Sequence, residues 1–314
     1  MLQYLVIILD DTSISYCHYS NNKTQNRLIN IDDLRQGIRF AMKENLRIQF
    51  VYPQYEIPNE YKELIETIDH SKIVSHNYNG IADVIVFNDW EELSYISKTN
   101  KETTCILQTT KTHFFEHYSK LDTILRVISR LNIVLTDITT FDENDFDSYK
   151  NTLSLISNII STIYKQGLSP QLNLITDRLL LENMNNCNAG NTNITLAPNG
   201  KFYICPAFYL YNEKESIGDL KNGLDIKNKH LYKIDYAPIC KKCDAYQCKR
   251  CIYLNQKMTL EVNTPSHEQC VIAHLERNAS KLLLSNMRKE VNFLPNKQIK
   301  DITYLDPFDI IKRS

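Results

Sequence analysis

The stretch CKKCDAYQCKRC, residues 240–251, places four cysteines in twelve positions as two C-x2-C pairs. Three more, Cys187, Cys205 and Cys270, flank it, so seven of the nine cysteines lie between 187 and 270. A C-x2-C pair sets two sulfurs on one tight turn, where both reach the same metal. Seven sulfurs are too many for one tetrahedral centre and divide as four plus three. The spacing leaves the metal open. Zinc takes four thiolates, or three and an imidazole, which His230, His267 or His274 stands close enough in sequence to supply. Four-iron clusters prefer thiolates and tolerate one non-cysteine ligand.

Disulfides compete for such cysteines only in an oxidising compartment. The opening MLQYLVIILDD has a short apolar run, no positively charged region before it and two acids directly after it. It reads as a buried first strand, not as a signal peptide or membrane anchor. The expectation is a cytoplasmic chain without membrane association, whose cysteines stay reduced and serve as ligands. With 36 Lys and Arg against 37 Asp and Glu, the net charge is −1. That offers no basic footprint for nucleic acid and no polybasic membrane patch. Only 7 glycines in 314 residues argue against glycine-rich phosphate loops and long flexible linkers.

Residues 1–180 alternate β-rich runs with helical patterns. Strands are predicted at 3–9, 47–52, 71–75, 82–87, 104–108, 132–138 and 171–176, and helices at 31–45, 61–68, 113–131 and 142–167. Alternation on this scale means parallel βαβ units, hence an α/β fold: a (β/α) barrel, open or closed, with a doubly wound sheet as the alternative. Near residue 185 the texture changes to loops rich in Asn, Gly and Pro. NITLAPNGKFYIC, 193–205, reads as a hairpin around a Pro-Asn-Gly turn. One further helix is predicted at 268–290, followed by a polar tail.

The cysteine pattern resembles that of the SPASM domain, the auxiliary-cluster module at the C-terminus of many radical SAM peptide- and protein-modifying enzymes. Gly200 followed by KFYIC matches the G-x4-C half of that motif, and CPAF at 205–208 is a familiar continuation. The later cysteines are one residue short in each of their last two gaps, so this is a variant. The resemblance implies a partial (β/α)6-type radical SAM-like barrel over 1–180, a small cysteine-rich SPASM-like iron–sulfur domain over 181–275, and a helix and tail over 276–314. Carried over residue by residue, one [4Fe-4S] cluster takes Cys240, Cys243, Cys248 and Cys270. A second takes Cys187, Cys205 and Cys251 and has an open fourth position. Zinc remains the alternative.

A radical SAM enzyme also carries C-x3-C-x2-C after its first strand. Here the loop reads DDTSISYCHYSN, 10–21, and aligning its last cysteine on Cys17 puts Asp10 and Ile14 at the other two ligand positions. The Gly-Gly-Glu-type element expected after the second strand is replaced by VYPQYEIP, 51–58. S-adenosylmethionine is therefore not expected as a cofactor. The opening LVIILDDTSISYCHYSN, the IQFVYP segment and the SPASM-like tail together resemble the CXXX repeat peptide maturase family. Such a chain is paired there with a true radical SAM enzyme and a short Cys-repeat precursor peptide.

The resemblance implies an accessory protein in the maturation of a ribosomally made, Cys-containing peptide. It would bind the precursor peptide, a partner radical SAM enzyme, or both. Two other readings stay open: a zinc-stapled binding module, and an active peptide-modifying enzyme with atypical cluster ligands. No catalytic residue is assigned. Cys17 and Cys105 read as packed thiols, Asp10 and Asp11 as part of a solvated loop, and His113 with His117 as a helix-face pair lacking a third ligand. The basic residues of KK (241–242) and KRC (249–251) offset cluster charge or face solvent.

Overall fold

Every side chain from Leu5 to Leu9 is buried. A strand buried on both faces belongs in the middle of a parallel sheet, and this one does. In the computed structural model, which describes residues 2–182, 186–246, 248, 250–289 and 293–299, the chain forms two compact units. One comprises Met1–Phe87 and Cys187–Lys233, the other Asn88–Asn186 and the chain from Ile234 onward.

The first unit opens with β1 (Tyr4–Ile8), α1 (Ile31–Lys43), β2 (Arg47–Val51), α2 (Asn59–Ile65), β3 (His70–Ser75) and β4 (Val84–Phe87). The second continues with β5 (Thr104–Thr109), α3 (Lys111–His117), α4 (Leu121–Ile124), β6 (Arg130–Leu135), α5 (Glu143–Lys165), β7 (Gln171–Leu172) and α6 (Asp177–Leu180). The chain returns to the first unit as β8 (Asn193–Leu196), β9 (Phe202–Tyr203), α7 (Pro206–Tyr211), β10 (Gly218–Asp219) and β11 (Gly223–Leu224). It ends its described part in the second as α8 (Ile252–Thr259) and α9 (His267–Arg288). Strand order in the first unit is β4-β3-β2-β1-β8-β9, and in the second β5-β6-β7. Pairs in these orders are parallel except the β8–β9 hairpin, which pairs Thr195 with Tyr203 and Leu196 with Phe202 as the Pro-Asn-Gly turn predicts, and β10 and β11 form a separate antiparallel pair. Gly200 in that turn has φ +73°, the left-handed region that glycine enters without strain.

Helix α1 shows how local signals and packing agree. Asn30 caps it by accepting from the Asp32 amide, and Asp32 and Asp33 occupy the positive end of its dipole. Leu34, Gly37, Ile38 and Ala41, spaced by three and four, form its buried stripe. A Cβ at Gly37 would collide with Leu196 of β8, so the missing side chain lets helix and strand approach. In the second unit, α5 and α9 pack on each other. Tyr149 donates to the buried Glu276 at 2.6 Å, and Ser161 contacts Met287 at 3.2 Å.

Two sequence expectations change. The helix expected over 113–131 is broken into α3, a tight 3-10 turn at Tyr118–Lys120 and α4. Its last residues become β6, because Leu131 pairs with Cys105 of β5. The strand expected over 171–176 stops at Leu172, where Thr176 folds back and its hydroxyl accepts from the Leu172 amide at 2.7 Å. The Asn173 side chain then continues the ladder, accepting from Ile133 N and donating to Ile133 O, both at 2.9 Å. The polar tail beyond residue 300 lies outside the described residues, and no described helix is long and apolar enough to cross a membrane.

Candidate metal centre and the loop after the first strand

Four of the seven predicted ligands converge. Cys240, Cys243, Cys248 and Cys270 line one cavity in the second unit with Ile239, Ala245, Arg250, Pro265, Gln269, Ala273 and His274. As the side chains stand it has about 20 Å³ of room for a water-sized sphere. Organic ligands occupy roughly 300–1,000 Å³, so the space as it stands suits nothing larger than a water or an ion held by the sulfurs. Among the described residues no three His, Cys, Asp or Glu side chains are placed to hold one ion. The four thiols frame the cavity without closing on a single point.

Local structure prepares the sulfurs for charge. The Ala245 amide donates to Cys243 Sγ at 3.3 Å and the Arg250 amide to Cys248 Sγ at 3.4 Å. Each donor lies two residues past its cysteine, so the turn itself solvates the thiolate. His274 Nε2 lies 3.6 Å from Cys243 Sγ. Burial, then the Cys240 thiol, pushes the Cys248 thiol up to about 12, against the Arg250 amide and guanidinium, which pull it down. Metal-free, such a thiol stays protonated; metal binding releases the proton.

Helix α9 organises the site. The Ser266 hydroxyl accepts from the Gln269 amide at 3.4 Å, and the Gln269 side chain accepts from the Ser266 amide at 3.0 Å, a reciprocal capping box. Cys270, Ala273, His274 and Arg277 follow at i, i+3, i+4 and i+7, on one helix face. Arg277 then grips the cysteine loop with two bonds to Asp244, at 2.7 and 2.8 Å. Arg178 adds a 3.4 Å bond to Asp244 and stacks 4.0 Å over Tyr246. Asp244, Arg178 and Arg277 escaped the sequence reading. The seven-residue step from Cys270 to Arg277 was the available signal.

Arg250 is only 3% exposed. Its Nε, Nη1 and Nη2 atoms are all buried without a hydrogen-bond partner among the described residues. A buried, unmatched cation beside four thiols fits an anionic metal–thiolate group better than four neutral thiols. The donor set and its surroundings therefore suit either four-thiolate zinc or a four-iron cluster. Lys249, its neighbour in KRC, lies outside the described residues.

The remaining three predicted ligands are divided between the units: Cys187 and Cys205 in the first, Cys251 in the second. Cys205 precedes α7 as its cap residue, with Pro206 at the first helical position. Cys251 occupies the same place before α8. Burial first, then the thiols of Cys17, Cys205 and Cys187, raises the Tyr16 phenol well above its ordinary value. Cys17, which the sequence reading set aside, thus lies within electrostatic reach of the phenol that Cys187 and Cys205 also influence. Cys105 is fully buried in β5, and burial raises its thiol to about 11.

The loop after β1 is not the solvated loop expected. Asp10 is fully buried and accepts from the Thr12 amide at 2.8 Å and from the Tyr55 hydroxyl at 2.8 Å. Asp11 accepts from the Tyr209 hydroxyl and pairs with Arg27 Nε at 3.0 Å. Arg27 also donates to Tyr209 Oη at 2.5 Å and to Glu213 at 2.7 Å. Lys23 bonds Glu213 at 2.6 Å and stands 4.0 Å over the Tyr209 ring. These contacts fasten the loop to α7. Ile14 is buried as well, so two of the three positions aligned with cluster ligands hold an aliphatic side chain and a carboxylate already satisfied by hydroxyls and an amide.

A second cavity of about 490 Å³ lies in the first unit beyond the C-terminal ends of β2 and β3. Ligands of parallel α/β folds bind at such ends. Tyr52, Tyr55 and Tyr78 wall it with Gln54, Ser75 and Asn77. Thus the segment that replaced the Gly-Gly-Glu-type element helps form a hollow lined by tyrosines, amides and the charged Glu56, Lys62 and Glu66.

No protein-family model matches the chain. No curated protein matches it either. Among solved structures the fold, an α/β partial barrel with mostly parallel strands, is similar to that of anSMEcpe. One such structure, of histidine-tagged anSMEcpe with bound AdoMet, has a TM-score of 0.66 at 12% identity, covering 94% of this chain and 97% of that one. Another, of native anSMEcpe with bound AdoMet and the Cp18Cys peptide, has a TM-score of 0.63 at 13% identity, covering 91% and 99%. Identity this low shows the fold alone.

Proposed function

We propose that this chain is a cytoplasmic, non-initiating partner in the maturation of a ribosomally made, Cys-containing peptide, of the CXXX repeat peptide maturase type. The observation that carries the reading is the pairing of a four-cysteine cavity with a β1 loop locked by Asp10, Asp11, Arg27 and Tyr209. The auxiliary-site ligands are kept while the positions that would hold an initiating cluster serve packing. In this reading Cys240, Cys243, Cys248 and Cys270 hold one [4Fe-4S] cluster. Cys187, Cys205 and Cys251 are assigned to a second, whose fourth position is open. A bound cluster supplies electron transfer and, at an open iron, a site for a thiolate. The hollow at the strand ends, lined by tyrosines, amides and the charged Glu56, Lys62 and Glu66, suits a polar peptide segment. The peptide present in one anSMEcpe structure makes that fold a reasonable host for such a ligand. A partner radical SAM enzyme would initiate the chemistry, since this chain's β1 loop does not offer three thiolates.

The test is metal and sulfide analysis of protein purified without oxygen, followed by binding of a Cys-containing precursor peptide monitored through the visible spectrum. About eight irons with matching sulfide per chain support two clusters, and about four support one. A peptide-induced spectral change completes the reading. Zinc without sulfide replaces it with a zinc-stapled binding module. Anaerobic cleavage of S-adenosylmethionine by the isolated chain would overturn the non-initiating role.

A further inference from the structure

We propose that Arg250 is the buried counter-cation of the metal–thiolate centre, so that its charge is matched only when the four-cysteine cavity is loaded. The inference rests on the assignment of Cys240, Cys243, Cys248 and Cys270 as ligands. The guanidinium lines their cavity and is 3% exposed. None of its three nitrogens has a hydrogen-bond partner among the described residues. The cavity lining contains no Asp or Glu. The nearby carboxylate, Asp244, is held by Arg277 and Arg178. An always-protonated guanidinium cannot shed its charge to escape burial. Four neutral thiols do not balance it, whereas four thiolates around a dipositive ion or cluster carry a net charge of −2 and do. The same charge that strains the empty cavity therefore stabilises the filled one.

The experiment compares wild type with Arg250→Leu and Arg250→Lys, and with Arg178→Leu as a buried arginine whose partner is Asp244. Metal loss to excess EDTA is followed without oxygen, and thermal melting is measured in the loaded and metal-free forms. Arg250→Leu is expected to lose metal at least tenfold faster than wild type while its metal-free form melts no lower. Arg250→Lys should stay near wild type in release. Arg178→Leu should lower both melts, the signature of a merely structural arginine. Metal retention by Arg250→Leu equal to wild type overturns the inference, as does a parallel loss in both melts. If the metal-free chain shows no cooperative melt, the release rate alone decides. Wild type that holds no metal fails the ligand assignment itself, an outcome distinct from metal held equally by wild type and Arg250→Leu.

Discussion

Tyr209 ties together Asp11 and Arg27, which also pair directly at 3.0 Å. Its hydroxyl donates to Asp11 and accepts from Arg27. Burial, then the bond to Asp11, raises the phenol's pKa, so it remains a donor across the physiological range. Tyr209→Phe should cost about 0.5–1.5 kcal/mol, the usual net value of a buried hydrogen bond, because Asp11 keeps its pairing with Arg27; denaturant unfolding at neutral pH reads it. Glu213 adds a pH dependence. Burial opposes its ionisation, but the hydrogen bonds from Lys23 and Arg27 prevail and its pKa falls below the ordinary 4.5. A carboxylate whose folded value is depressed contributes stability that is present above 4.5 and lost as pH falls through the lowered value. Wild type should therefore lose stability over that acidic window relative to Glu213→Gln. The effect should be small because the side chain is 41% exposed; equal acid slopes would refute it. The aspartates were visible in the sequence, but Tyr209 lies 198 residues from Asp11, and no local pattern joins them.

Helices α1 and α9 carry the most legible local code. Asn30, the acidic first turn and the three-four spacing announce α1, yet the collision that a Cβ would make with Leu196 depends on β8, brought beside β1 from far along the chain. Gly37→Val should destabilise by about 1–3 kcal/mol as overpacking, measured as a shift in unfolding midpoint. In α9 the Ser266–Gln269 capping box fixes the start of the helix one turn before Cys270. Ser266→Ala should cost about 0.5–2 kcal/mol and, by fraying that turn, should quicken chelator-driven metal release. Unchanged release would separate the cap from the centre. Where propensity and pairing conflicted, pairing won: residues 130 and 131 read as the end of a helix, but Leu131 pairs with Cys105 of β5 and Arg130 with Gln171 of β7.

For the whole molecule, metal removal should act unevenly. Hydrogen exchange after chelation should rise in the described residues between 234 and 270, where short turns and thiols replace an apolar core, and change little in β1, β2 and β8, whose side chains are buried in the first unit. Loss of protection in both would contradict this. The sequence alone determined the βα alternation, the Pro-Asn-Gly hairpin and which cysteines are candidate ligands, because periodicity, turn chemistry and C-x2-C spacing are local properties. Only the tertiary structure decided that Asp10 and Asp11 are buried and satisfied, and that Arg250 brings its unmatched charge to the thiols. Burial and charge balance are set by which distant segments pack together, and spacing along a chain does not encode that.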